Sequence, residues 1–166
     1  MINQFFFQAL AAISVAIGVC IAAYQLFRLK QIQRDDHVWN QKIEAQKALE
    51  ARQHLDTSVV NDAFGPIRND RIIEATELKE KLKDGVKYPN LRTDLHKLLN
   101  YYEGLARGIY QDMYDEKVIK LARKKSILSL YHKYENYITF RQKHRNERAY
   151  YYLSKLALHW LEEDNL

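Results

Sequence analysis

Polarity divides the chain into two kinds of sequence. From Phe5 to Phe27 the run FFFQALAAISVAIGVCIAAYQLF carries no charge. As a helix rising 1.5 Å per residue it spans roughly 35 Å, enough for a hydrocarbon core of about 30 Å. The run predicts a transmembrane helix with Gln8 and Gln25 near its ends and Phe5, Phe6, Phe7, Tyr24 and Phe27 as aromatic rims. Residues 28–56 hold no Gly or Pro and are rich in Gln, Lys, Glu and Ala, which predicts a helical stalk continuing from the span.

Beyond that point apolar residues recur with the 3.6-residue period of helices. Thr57 or Ser58 starts a short helix carrying Val59, Val60, Ala63 and Phe64, stopped by Gly65 and Pro66. Asn69 or Asp70 starts a second, with Ile72, Ala75, Leu78 and Leu82 on one face and Gly85 at its end. The most regular pattern runs from Thr93 to Gln111 through Leu95, Leu98, Leu99, Tyr102, Ala106 and Ile109. Asp115 caps a long helix whose inward set reads Val118, Leu121, Ala122, Leu128, Tyr131, Tyr134 and Ile138, and Asn146 starts a last one with Ala149, Leu153, Leu156, Ala157 and Trp160. No segment alternates with period two for long enough to form a strand. The expected fold is all-α: a transmembrane helix over 5–27, a juxtamembrane stalk over 28–56, and a cytoplasmic antiparallel helical bundle over 57–166.

Charge sets the expected direction. All 47 charged residues of the 166-residue chain lie after Phe27. Arg28, Lys30 and Arg34 follow the span and no Lys or Arg precedes it, so the positive-inside rule puts the N-terminus outside and the bundle in the cytoplasm. A cleaved signal peptide would need a basic stretch before the apolar run. Ser14, Gly18 and Ala22 repeat every four residues, a face that permits close approach of a second copy in the membrane.

The chain lacks a glycine-rich phosphate loop, HExxH, a paired-cysteine motif and a GxSxG elbow. Its six His show no i, i+4 pair for a metal, so no catalytic, cofactor or metal site is expected. A HEPN-type nuclease needs an Arg followed by four to six residues and then His, whereas Arg92 and His96 are separated by three and Arg123 and His132 by eight. Glu103 lies beside the apolar face of its helix, where a partly buried carboxylate would have a raised pKa; the favoured reading is a boundary carboxylate, bonded to a Tyr hydroxyl or paired with Arg107. Gly104 and Gly108 are read as a close helix crossing.

The basic excess is local. Asp115 to Arg148 holds ten Lys or Arg and four Asp or Glu, a balance of +6 within a chain of net +5. Its candidate patch comprises Lys117, Lys120, Arg123, Lys124 and Lys125 in one cluster and Arg141, Lys143, Arg145 and Arg148 in another. Such clusters suit a solvated face, anionic lipid, an acidic protein or nucleic acid.

The stretch LLNYYEGLARGIYQDMYDEKVIK from Leu98, followed by SLYHKYENYITFRQKHRNERAYYYLSKLALHW, resembles a bacterial family catalogued as domain of unknown function 4760. The matching positions are Asn100, Tyr101, Tyr102, Glu103, Asp115 and Glu116. The resemblance implies a small protein of the bacterial inner membrane with one N-terminal span, a stalk and a compact helical domain, and it brings no catalytic residue or cofactor.

These readings lead to a non-enzymatic single-pass protein whose cytoplasmic helical domain acts as sensor, adaptor or defence-associated effector. Its expected partners are the lipid bilayer, a second copy through the membrane and stalk helices, and a cytoplasmic protein. A membrane-tethered nucleic-acid-binding or HEPN-like nuclease protein and a pore-forming effector are the alternatives.

Overall fold

The computed structural model describes residues 2–67 and 71–164, with side chains from Ser14 onward. The expected rim of Phe5, Phe6, Phe7 and Gln8 and the expected cap at Asn69 or Asp70 therefore lie outside the described side chains. Six α-helices follow in order: α1 Ile2–Glu50, α2 Ser58–Phe64, α3 Ala75–Lys83, α4 Leu91–Tyr110, α5 Glu116–His144 and α6 Tyr151–Asp164, with a 3-10 turn at Ala51–His54. No strand occurs among the described residues. The chain forms two compact units, one ending at Asn40 and one beginning at Gln41.

The first unit is the N-terminal part of α1. It is the one described helix long and apolar enough to cross a membrane. Val15, Ile17, Val19 and Ile21 are each more than half exposed, as a lipid-facing segment would leave them in the absence of lipid.

The second unit opens with the last turns of α1, where Ala45 is fully buried. The Gln41 amide donates to the Asp112 backbone carbonyl at 2.9 Å and to its carboxylate at 2.7 Å, tying α1 to the loop after α4. The Tyr101 hydroxyl donates to the Ala48 carbonyl at 3.2 Å. α4 packs chiefly against α6, which also packs on α5; α2 covers α4 and α3 lies on α5. α5 and α6 run antiparallel, since Glu116 at the start of α5 meets Trp160 near the end of α6 and Gln142 at the other end of α5 meets Ser154. α4 and α5 are antiparallel too, because His96 pairs with Tyr137.

α4 and α6 bury the expected faces: Leu95, Leu98, Leu99, Tyr102 and Ala106 on one, Leu153, Leu156, Ala157 and Trp160 on the other. α5 is rotated from expectation. Leu121 is 92% exposed and Ala122 is exposed, whereas Ile119, Ile127 and Leu130 are completely buried. α5 also kinks at Tyr134, where φ −110° and ψ 15° leave helical geometry.

Three other expectations are corrected. α3 begins at Ala75, and the residue that enters the core before it is Ile73, not Ile72. Ile73 sits in an extended strap pinned to α5, its N–H donating to the Lys133 carbonyl and its own carbonyl accepting from the Asn136 amide. Asn146 does not start α6; its side chain accepts from the Arg148 N–H in a turn, and the helix begins only after Tyr150, held at φ 55°. Gly104 and Gly108 do not form a helix crossing: a Cβ at Gly104 would meet nothing within 4 Å, whereas one at Gly108 would lie 2.2 Å from ring atoms of Tyr114, a residue of the following loop. Asp112 at φ 58° turns the chain after α4, and Tyr114 folds back onto its last turn.

Candidate functional site

Four of the six residues carrying the family resemblance, Tyr101, Glu103, Asp115 and Glu116, make ties at helix ends. α6 has no self-supplied cap, because Tyr150 is aromatic and in the left-handed region. Glu103 serves instead from the middle of α4: its carboxylate accepts from the Leu153 N–H at 2.8 Å and the Tyr152 N–H at 3.3 Å. Neither a Tyr hydroxyl nor Arg107 is its hydrogen-bonding partner, which corrects the sequence expectation. Burial pushes the Glu103 carboxyl above its ordinary range, opposed by those two N–H donors and by the charge of Arg107. Asp115 caps α5 by accepting from Lys117 N–H at 2.8 Å and Val118 N–H at 3.3 Å. Glu116 accepts from the Trp160 indole at 2.7 Å. Tyr102 is buried in the core, while Asn100 is exposed.

A second set of ties, absent from the sequence reading, centres on Lys133. Its side chain is completely buried, and Nζ donates to the carbonyls of Gly65 and Pro66, each at 2.8 Å. Lys81 donates to the Ala63 carbonyl. The two cations thus satisfy the carbonyl end of α2, where the helix dipole is negative. Burial, then the charge of Arg71, push the Lys133 ammonium below its usual value; Glu77 opposes them.

The basic patch proves to be two surfaces. Lys120 pairs with Glu163 and Lys124 with Asp164, so the acidic end of α6 neutralises the centre of the first cluster. Lys117 and Lys125 flank that pair, exposed, around the protruding Leu121. Arg123 is half-buried near Tyr101. In the second cluster Lys143 and Arg148 are exposed, while Arg141 and Arg145 turn to a cleft of about 770 Å³.

Three helices build this cleft. α3, held over α5 by the Ile73 strap, supplies Leu78 and Leu82 as floor and Lys79 and Lys83 at the rim. The first turns of α4 supply Arg92 and His96. The last turns of α5 supply Tyr137, Phe140 and Arg141, and Arg145 follows directly. Five cationic side chains thus converge from three elements, and no Asp or Glu is among the described residues lining the cleft. The carboxylate of Glu77 on α3 is occupied by Arg71 at 2.5 Å and Lys81 at 2.9 Å.

His96 Nε2 and the Tyr137 hydroxyl share a 2.5 Å hydrogen bond, their rings stacked with centroids 6.0 Å apart. Burial, then the nearby charges of Arg141 and Arg92, hold the His96 imidazolium pKa down. Burial raises the Tyr137 phenol. Both groups are therefore neutral near pH 7 and bonded to each other through Nε2, leaving the arginines and lysines as the charged groups open to a ligand. Sequence reasoning placed Arg141 and Arg145 in a basic cluster and weighed Arg92 with His96 as a nuclease pair, but it had no signal that folding brings these together with Lys79 and Lys83.

In the first unit, Ser14, Gly18 and Ala22 are exposed at helical spacing, and a Cβ at Gly18 would meet nothing within 4 Å. No group of three or more His, Cys, Asp or Glu suited to a metal occurs among the described residues.

The profile of a family described as Domain of unknown function (DUF4760) matches residues 12–160. No curated protein and no solved structure matches the chain.

Proposed function

The chain belongs to the DUF4760 family, and from that premise we propose that it is a single-pass protein of the bacterial inner membrane whose cytoplasmic helical domain is a non-enzymatic interaction module, a sensor or adaptor. The cationic cleft between α3, α4 and α5 carries this reading. Five positive side chains facing one concave surface without a carboxylate repel one another unless an anionic partner is present, so the surface is built to be occupied. The N-terminal helix, with apolar side chains outward and Arg28, Lys30 and Arg34 after it, supports a membrane address with the bundle inside. Engagement of Glu103 as a helix cap supports a structural rather than an acid–base role for this carboxylate, the one among the described residues that burial perturbs upward.

The test is crosslinking and affinity capture of the full chain from bacterial membranes, beside the Arg92→Glu/Arg145→Glu double variant. A bound acidic partner lost from the variant supports the module. Identical capture by both proteins, or capture of RNA alone, overturns it.

A further inference from the structure

The lining of the α3–α4–α5 cleft specifies more than the sign of its ligand. Its walls are mainly hydrocarbon, with Leu78, Leu82 and Phe140 offering aliphatic and aromatic surface beneath the ring of cations. Phe140 is half exposed although it is large and apolar. Apart from the cations, the polar groups in the wall are His96 and Tyr137, and these are bonded to each other. The cations only donate, so a ligand rich in its own N–H and O–H donors, such as a nucleotide base or a sugar, would bury donors there with few acceptors, at a cost in affinity.

From this the geometry points to an anionic amphiphile: one hydrocarbon chain laid on Leu78, Leu82 and Phe140, with its carboxylate or phosphate head held by Arg92, Arg141 and Arg145. Guanidinium groups suit both heads because their paired N–H donors match two acidic oxygens at once. The cleft volume of about 770 Å³ lies within the range of small-ligand sites. This inference rests on the reading of the cleft as a recognition surface and names the ligand of that same site. A fatty acid and a single-chain phospholipid share this chemistry and are separated by their heads.

The experiment uses the full chain in zwitterionic lipid nanodiscs, titrated with butyl, octyl and dodecyl phosphate, with alkanoates of the same lengths, and with inorganic phosphate and ADP. Affinity is expected to rise with chain length, by up to roughly fourfold per methylene while the chain remains inside the cleft. Phe140→Ala should flatten that dependence. Arg92→Glu/Arg145→Glu should weaken every long-chain ligand by at least about tenfold with helix content unchanged. The better of the two head series identifies the source as phospholipid or free fatty acid. ADP or inorganic phosphate binding as tightly as dodecyl phosphate overturns the amphiphile. Binding that depends on chain length but not on the two arginines also overturns it, since that is partition into the bilayer. If no amphiphile binds while the double variant still loses its captured partner, this inference falls and the interaction module stands. If both assays show no effect of the variant, both fall.

Discussion

Removing the Glu103 carboxylate should loosen α6 at its start. Two backbone N–H groups, those of Tyr152 and Leu153, lose their acceptor in Glu103→Ala, and Leu153 is completely buried. The 2.8 Å bond is a charge-assisted one worth about 1.5–3 kcal/mol, and the 3.3 Å bond adds little. Loss of an N-cap in other helices costs about 0.5–2 kcal/mol. The expected destabilisation is therefore about 2 kcal/mol for Glu103→Ala and smaller for Glu103→Gln, whose amide oxygen still accepts a bond and which carries no charge to desolvate. Urea unfolding of the full chain in micelles gives the size, and hydrogen exchange gives the place: the Leu153 amide should exchange faster while those of α3 do not. The pH dependence follows from burial. The folded carboxyl binds its proton more readily than the unfolded one, so its contribution to stability declines as pH rises from about 4.5 to the raised folded value and is flat above it. Glu103→Gln should abolish that slope. A Glu103→Ala protein within about 0.5 kcal/mol of the parent, with unchanged exchange at Leu153, would refute the capping role.

Gly108→Ala places a methyl carbon 2.2 Å from the nearest Tyr114 ring atoms and should cost about 1–3 kcal/mol in thermal unfolding; pairing it with Tyr114→Ala should recover part of that loss, and additive costs would count against the contact. Lys133→Met should destabilise by about 1–3 kcal/mol, because the carbonyls of Gly65 and Pro66 lose their donor. Since the folded ammonium is the stronger acid, the parent should gain stability as pH rises from its folded pKa towards the usual 10.5, a gain the Met variant lacks. His96 should titrate by NMR with a midpoint below 6.5, and its contribution to stability should be lost as pH falls through that midpoint. A midpoint above 6.5 would contradict the burial and flanking arginines that set it.

How far the sequence spoke depended on how each helix is surrounded. α4 and α6 each bury one stripe, so their periodicity named Leu95, Leu99, Leu153 and Trp160 directly. α5 touches α3, α4 and α6, and it bends at Tyr134, so its buried side moves around the helix. Between the adjacent pairs Val118/Ile119 and Leu121/Ala122 the pattern alone does not fix a phase: periodicity puts Leu121 inward, whereas in the fold it faces outward. Charge misled in a similar way. A run of lysines along one helix shows nothing of the acids a distant segment brings to it, as Glu163 and Asp164 are brought to Lys120 and Lys124. The cleft reverses that lesson: its cations are scattered from Lys79 to Arg145, and only folding gathers them.

The two groups of residues so distinguished have separate work to do. Tyr101, Glu103, Asp115 and Glu116, which carry the family resemblance, each bond to a backbone or side-chain group at a helix end: Ala48 in α1, the first turn of α6, the first turn of α5, and Trp160. They determine where helices begin and which ends meet. None of them lines the cleft. In the proposed reading recognition falls to residues outside the pattern that defines the scaffold, and substitutions in the two sets should separate experimentally. Changes at Glu103 or Asp115 should lower stability and, through it, binding. Changes at Arg92 or Arg145, both exposed and without an ion pair among the described residues, should alter binding with the unfolding transition left in place.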